Sequence, residues 1–95
     1  MWWGTAHDLH RARVKRSDAD KITDAVVDLL AEKRVERSVS YEDLAGLTGM
    51  HASSISLIER HLRNPTFVNL ARIALALGVR LSTIVRKAER AVESE

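Results

Sequence analysis

Residues 40–65 read SYEDLAGLTGMHASSISLIERHLRNP, and the punctuation of this stretch decides the fold. Ser40 with Asp43 three residues on predicts a capped helix start: the hydroxyl takes an orphan amide and the carboxylate reaches back to the cap. The helix so opened runs from Tyr41 to about Thr48, and Gly49 supplies the left-handed residue that ends it. Met50 then drops into the core, and a second helix runs from Ala52 to about Arg60. His61 stands where a helix-ending residue with positive φ is expected, and Pro65 forbids continuation. The result is two short helices joined by a tight turn. Ala45, Gly49, Ile55 and Ile58 occupy its small, turning and buried positions.

Working outward, Ser17 followed by Asp20 predicts the cap of an earlier helix, and Asp18, Asp20 and Asp24 put negative charge at its positive end. Ile22, Val26, Leu29 and Leu30 recur at helical spacing and define a buried stripe. Lys33, Arg34 and Arg37 close this helix with the favourable sign, and Ser38-Val39-Ser40 breaks it. On the other side, Thr66 caps a helix with Phe67, Leu70, Ile73, Ala74 and Leu77 as its apolar face, and Gly78 terminates it. Leu81, Ile84, Val85, Ala88 and Val92 carry a last helix, 81–93, almost to the end. Residues 1–16 read as an amino-terminal arm, partly helical at most. Its Trp2 and Trp3 are expected to dock on their own domain or on a second subunit.

Composition agrees with an all-α class. Ninety-five residues make one domain, 17–95, beside the arm. Apolar residues at 45% with aromatics at only 4% suit small packed helices, and one proline with four glycines leaves too few turns for an all-β fold. The net charge of +2 is modest; its distribution says more. The segment His10–Arg16 is basic, the second half carries Arg60, Arg63, Arg72, Arg80, Arg86, Lys87 and Arg90, and acidic residues gather between Asp18 and Asp43. With no cysteine, disulfides and thiolate metal sites are excluded. No apolar run approaches the roughly 20 residues that span a bilayer, and the start lacks the pattern of a signal peptide, so no membrane partner and a cytoplasmic location are expected.

Two short helices at a tight turn are a device for placing one helix end in the major groove of double-stranded DNA. The pieces S-Y-E-D-L-A, G-M, S-S-I-S-L-I-E-R, R-N-P-T and L-A-R-I-A-L-A-L-G-V-R-L-S stand in order within residues 40–85. Together they resemble the Cro/phage-repressor-type helix-turn-helix family, also called the xenobiotic-response-element (XRE) family. Ile55, Ile58, Glu59 and Arg60 followed by R-N-P-T also resemble the controller proteins of restriction–modification systems. The resemblance implies a compact five-helix lambda-repressor-like DNA-binding domain with its helix-turn-helix core at 40–62. It also implies a homodimer on a two-fold-symmetric operator, a regulator of transcription with no catalytic activity.

Under that reading helix 52–60 enters the major groove, and His51, Ala52, Ser53, Ser56 and Leu57 are the candidate base contacts. By resemblance Ala52, Ser53 and Leu57 correspond to the usual base readers. This chain departs from the pattern there: it lacks the Arg, Gln or Asn that make bidentate contacts, and Ala52 and Leu57 can only touch thymine methyls. Backbone contacts are expected from Tyr41, Arg63, Asn64 and Thr66, although Asn64 and Thr66 also serve as turn and cap. Glu59 either pairs with Lys33 or Arg34 or stays in solvent. The arm either follows DNA or is a solvated tail. Ile84, Val85, Ala88 and Val92 form a seam with a second copy unless the arm covers them.

A rival reading keeps the fold and changes its use, to an antitoxin or a protein-interaction module with a toxin or polymerase as partner. An enzyme is not expected. His7, His10, His51 and His61 make no carboxylate–histidine constellation, and His7 with His10 reads as a solvated arm before a metal pair. Neither a cofactor nor a metal is anticipated.

Overall fold

The computed structural model describes residues 16–95, which form five helices: α1 (Arg16–Glu36), α2 (Tyr41–Thr48), α3 (Ala52–Glu59), α4 (Phe67–Leu77) and α5 (Leu81–Glu93). The arm, with Trp2, Trp3, His7 and His10, lies outside the described residues. The fold is all-α.

Local chemistry sets the boundaries. Ser40 caps α2 through a complete capping box: Asp43 N donates to Ser40 Oγ at 3.0 Å and Ser40 N to Asp43 Oδ2 at 3.3 Å. Thr66 Oγ1 caps α4 by accepting from Asn69 N at 3.1 Å. At the other ends the chain repeatedly turns through the left-handed region: Ser38 (φ 55°), Gly49 (φ 76°), His61 (φ 60°) and Gly78 (φ 70°). Around Ser38, His61 and Gly78 the same pair of bonds recurs. Ser38 N donates to Val35 O and Val39 N to Arg34 O; His61 N to Ile58 O and Leu62 N to Leu57 O; Gly78 N to Leu75 O and Val79 N to Ala74 O. These are Schellman motifs, which satisfy helix-end carbonyls and reverse the chain at once. Gly49 uses the simpler single bond, from its N–H to Ala45 O at 2.9 Å.

Ser17 does not cap α1. Arg16 is already helical, and a Ser-x-x-Asp pattern marks a start only where the residue before it leaves helical geometry. The first stripe is also wider than its spacing suggests: Val27 is buried along with Val26 and Leu30, while Ile22 and Leu29 are half-buried.

At the centre, Leu44 and Ile55 have no exposed surface, and Val26, Leu30, Ile73, Ala74, Leu77, Ile84 and Ala88 close around them. α5 packs chiefly against α1. It runs antiparallel, since Lys21 near the start of α1 bonds Glu95 at 3.3 Å while Gly78 ahead of α5 lies beside Arg37 at the other end. This pairing buries Ile84 at 2% and Ala88 at 0% exposure, so these two belong to the chain's own core and are not surface for a second copy. Phe67 moves the other way. Expected on the buried face of α4, it is 72% exposed, because as the first helical residue it precedes the turn that packs on the core. No single described helix is long and apolar enough to cross a membrane, and the chain bends by 113° between α4 and α5.

Candidate nucleic-acid interface

α3 has two faces with separate duties. Ile55 and Ile58 point into the core, while His51 and Ser53 at its start are exposed, Ala52, Ser56 and Leu57 are half-buried, and Arg60 is exposed just past its end. His51 occupies the N-cap position with no side-chain capping bond, so its imidazole is not committed to the helix start.

The orientation of α3 is fixed from its last residue. Glu59 accepts from Arg34 Nε at 2.7 Å and Nη2 at 3.0 Å, and from the Tyr41 hydroxyl at 3.0 Å. Arg34 spends its remaining Nη1 on Val39 O at 2.9 Å and lies 4.3 Å from the Tyr41 ring centroid. The Arg34–Glu59 pair thus ties the end of α3 to α1, to the linker and to the start of α2. Both ionic side chains are largely buried, at 15% and 14% exposure. Hydrogen bonding to Glu59 raises the Arg34 pKa above its already alkaline ordinary value, against a smaller opposing effect of burial. Of the two partners the spacing allowed, Arg34 is the one used; Lys33 instead faces Glu36 at 3.5 Å.

This network reassigns Tyr41. Tyr41 is expected among the DNA backbone contacts; its hydroxyl donates to Glu59, and Glu42 and Asp43 fill the first turn of α2 with negative charge that repels a phosphate. The starts of α3 and α4 carry no acidic residue in their first turns, so their free amides and positive dipole ends remain open to anions. Arg63 stands between them: it is exposed, and Nη1 donates to Ser54 Oγ on α3 at 3.0 Å. A guanidinium so placed keeps its other donors for an oxygen arriving at α3.

Asn64 and Thr66 are both exposed, with Thr66 acting as the cap. Asn64 lines a polar notch with Asp20, Asp24 and His61. His61 reaches across to α1, its Nε2 2.8 Å and its Nδ1 3.2 Å from carboxylate oxygens of Asp28 and Asp24. An approaching phosphate therefore meets carboxylates on the α1 side of the loop and the Arg63 cation on the α3 side. The contacts of Arg63 to Ser54 and of His61 to Asp24 and Asp28 span 9 to 37 residues of sequence and were not anticipated; only the Asp20, Asp24, Asp28 spacing at one face of α1 hints at a cationic neighbour.

On α5, Val85 and Val92 are half-buried at the edge of the core and do border the surface. Among the described residues no cluster of three or more His, Asp or Glu side chains is arranged to hold a metal.

A family model described as helix-turn-helix matches residues 30–84, more than half of the chain. No curated protein and no solved structure matches it.

Proposed function

The chain belongs to the Cro/phage-repressor-type (XRE) helix-turn-helix family, a family of DNA-binding regulators and not of enzymes, and from that premise we propose a sequence-reading homodimer with α3 in the major groove. The observation that carries this reading is the union of two acid-free helix starts with Arg63 on one side of the domain, where α3 turns out His51 and Ser53. Phosphates seat at the starts of α3 and α4 and on Arg63, which sets the register of the helix without reading sequence. Base recognition falls to His51, Ala52, Ser53, Ser56 and Leu57. With no bidentate reader among them, discrimination rests on thymine methyls, on shape and on water.

The rival use, as an antitoxin or protein-interaction module that grips a toxin or polymerase, draws on the same scarcity of base readers. Titration of random and selected duplexes with the whole chain separates the two. Arg63→Ala weakens binding to all duplexes alike and reduces the salt slope by about 1. Ser53→Ala changes the ranking of sites and leaves the slope alone. If the intact chain retains no duplex at low salt, the DNA reading fails and the module reading takes its place.

A further inference from the structure

His61 and Arg63 stand close together in the loop that leaves α3, and their side chains are committed in opposite directions. His61 turns to α1, where Asp24 and Asp28 meet its two ring nitrogens. Arg63 turns back along α3 and ends on Ser54, with Nη1 donating to Oγ at 3.0 Å. Ser54 lies in the first turn of α3, whose last residue is Glu59. At a rise of about 1.5 Å per residue, this contact carries the cation roughly 7 Å back from the end of the helix toward its start. That is the end where the acid-free amides lie.

The hydroxyl is what keeps the cation there. Arg63 is exposed and enters no ion pair among the described residues. The other side of the loop offers it a competing attraction: Asp20 and Asp24 line the notch that Asn64, its direct neighbour, also lines. An untethered guanidinium is drawn toward those carboxylates and away from α3. Ser54 belongs to neither the base contacts nor the backbone contacts assigned above. Half-buried between the exposed Ser53 and the buried Ile55, it does not share the outward face of its neighbour.

We infer that Ser54 is a positioning residue for DNA: it holds Arg63 on the α3 side of the loop, facing the place of a backbone phosphate at the start of α3, and reads no base. This rests on the DNA reading above and adds to it a side chain that acts through another. The donors divide accordingly. Oγ takes one N–H of the guanidinium, and the others stay available for a phosphate oxygen. Because Arg63 is ordered before DNA arrives, less conformational freedom is lost on association.

A double-mutant cycle tests the role, with the full chain titrated over a salt series against a duplex selected from random sequences. Ser54→Ala weakens binding about 2- to 12-fold, the range for immobilising one long side chain on association. It leaves the salt slope as it was, because the cation is still present. Arg63→Ala reduces the slope by about 1, and in that background Ser54→Ala has no further effect. Ser54→Thr, which keeps the hydroxyl, binds as the unmodified chain does. Equal losses from Ser54→Ala with and without Arg63 overturn the assignment, since the hydroxyl then acts on DNA by itself. Normal binding by Ser54→Ala, or a Ser54→Thr chain as weak as Ser54→Ala, overturns it as well. If the unmodified chain retains no duplex, the DNA reading falls and the positioning role with it; if it binds and the cycle shows no coupling, only the positioning role falls.

Discussion

Replacing Glu59 with leucine leaves Arg34 with a largely buried guanidinium whose two strongest acceptors are gone, and leaves the Tyr41 hydroxyl without its partner. Two hydrogen bonds to a charged group are worth about 1.5–3 kcal/mol each, and breaking one side of a buried pair costs about 3–5 kcal/mol. The 15% exposure of Arg34 lets some water return, which places the loss near ~3 kcal/mol, at the lower edge of that range. For a domain of this size that corresponds to a fall in Tm of roughly 12–24 °C. Denaturant unfolding followed at 222 nm measures it directly. Arg34→Met with Glu59→Leu removes both charges together and costs only about 1 kcal/mol, because no uncompensated ion remains. Additive losses in that double variant, or a single-variant loss below about 1 kcal/mol, would refute the reasoning. The raised Arg34 pKa fixes the sign of the pH dependence. Its contribution is complete below the ordinary arginine value and disappears only as pH rises through the still higher folded value, so the neutral range registers no loss from this residue.

Two backbone predictions follow from the left-handed turns. Gly49→Ala meets no atom within 4 Å yet must hold φ 76°, so it loses about 1–2 kcal/mol by strain alone, read as a lower denaturation midpoint at unchanged slope. His61→Gly gives up two solvent-exposed contacts worth about 0–1 kcal/mol and relieves the φ 60° strain, which leaves stability within about 0.5 kcal/mol; His61→Val, β-branched at the same φ, lowers it by about 2 kcal/mol in the same assay.

What could be read from sequence was whatever is decided within one turn of helix. The capping box at Ser40, the cap at Thr66 and the left-handed residues at Gly49, His61 and Gly78 depend on neighbours three or four positions away, and each stands in the structure where its residues put it. Ser17 failed because the pattern ahead of it is ambiguous without the conformation of Arg16. Periodicity separates an apolar face from a polar one but does not say what lies against it. Ile84 and Ala88 are covered by α1, and Phe67 overhangs the core; both outcomes depend on how α1, α4 and α5 cross. The candidate interface divides in the same way. The two faces of α3 follow from its sequence, whereas the commitment of Tyr41 to Glu59 joins residues 18 apart and appears only once the helices are assembled.

The division of labour on α3 has a consequence for how such a protein changes over time. Its inward residues, Ile55, Ile58 and Glu59, hold the fold, and none of them looks outward. Ser53 is exposed, and a surface exchange of that kind usually shifts stability by no more than about 0.5 kcal/mol. On the proposed DNA reading, introducing Gln, Asn or Arg at Ser53 rewrites the address the helix reads while the scaffold stays as it is. A sparse reading face is thus an open one, a site at which new specificity can be installed by single steps without a compensating change elsewhere.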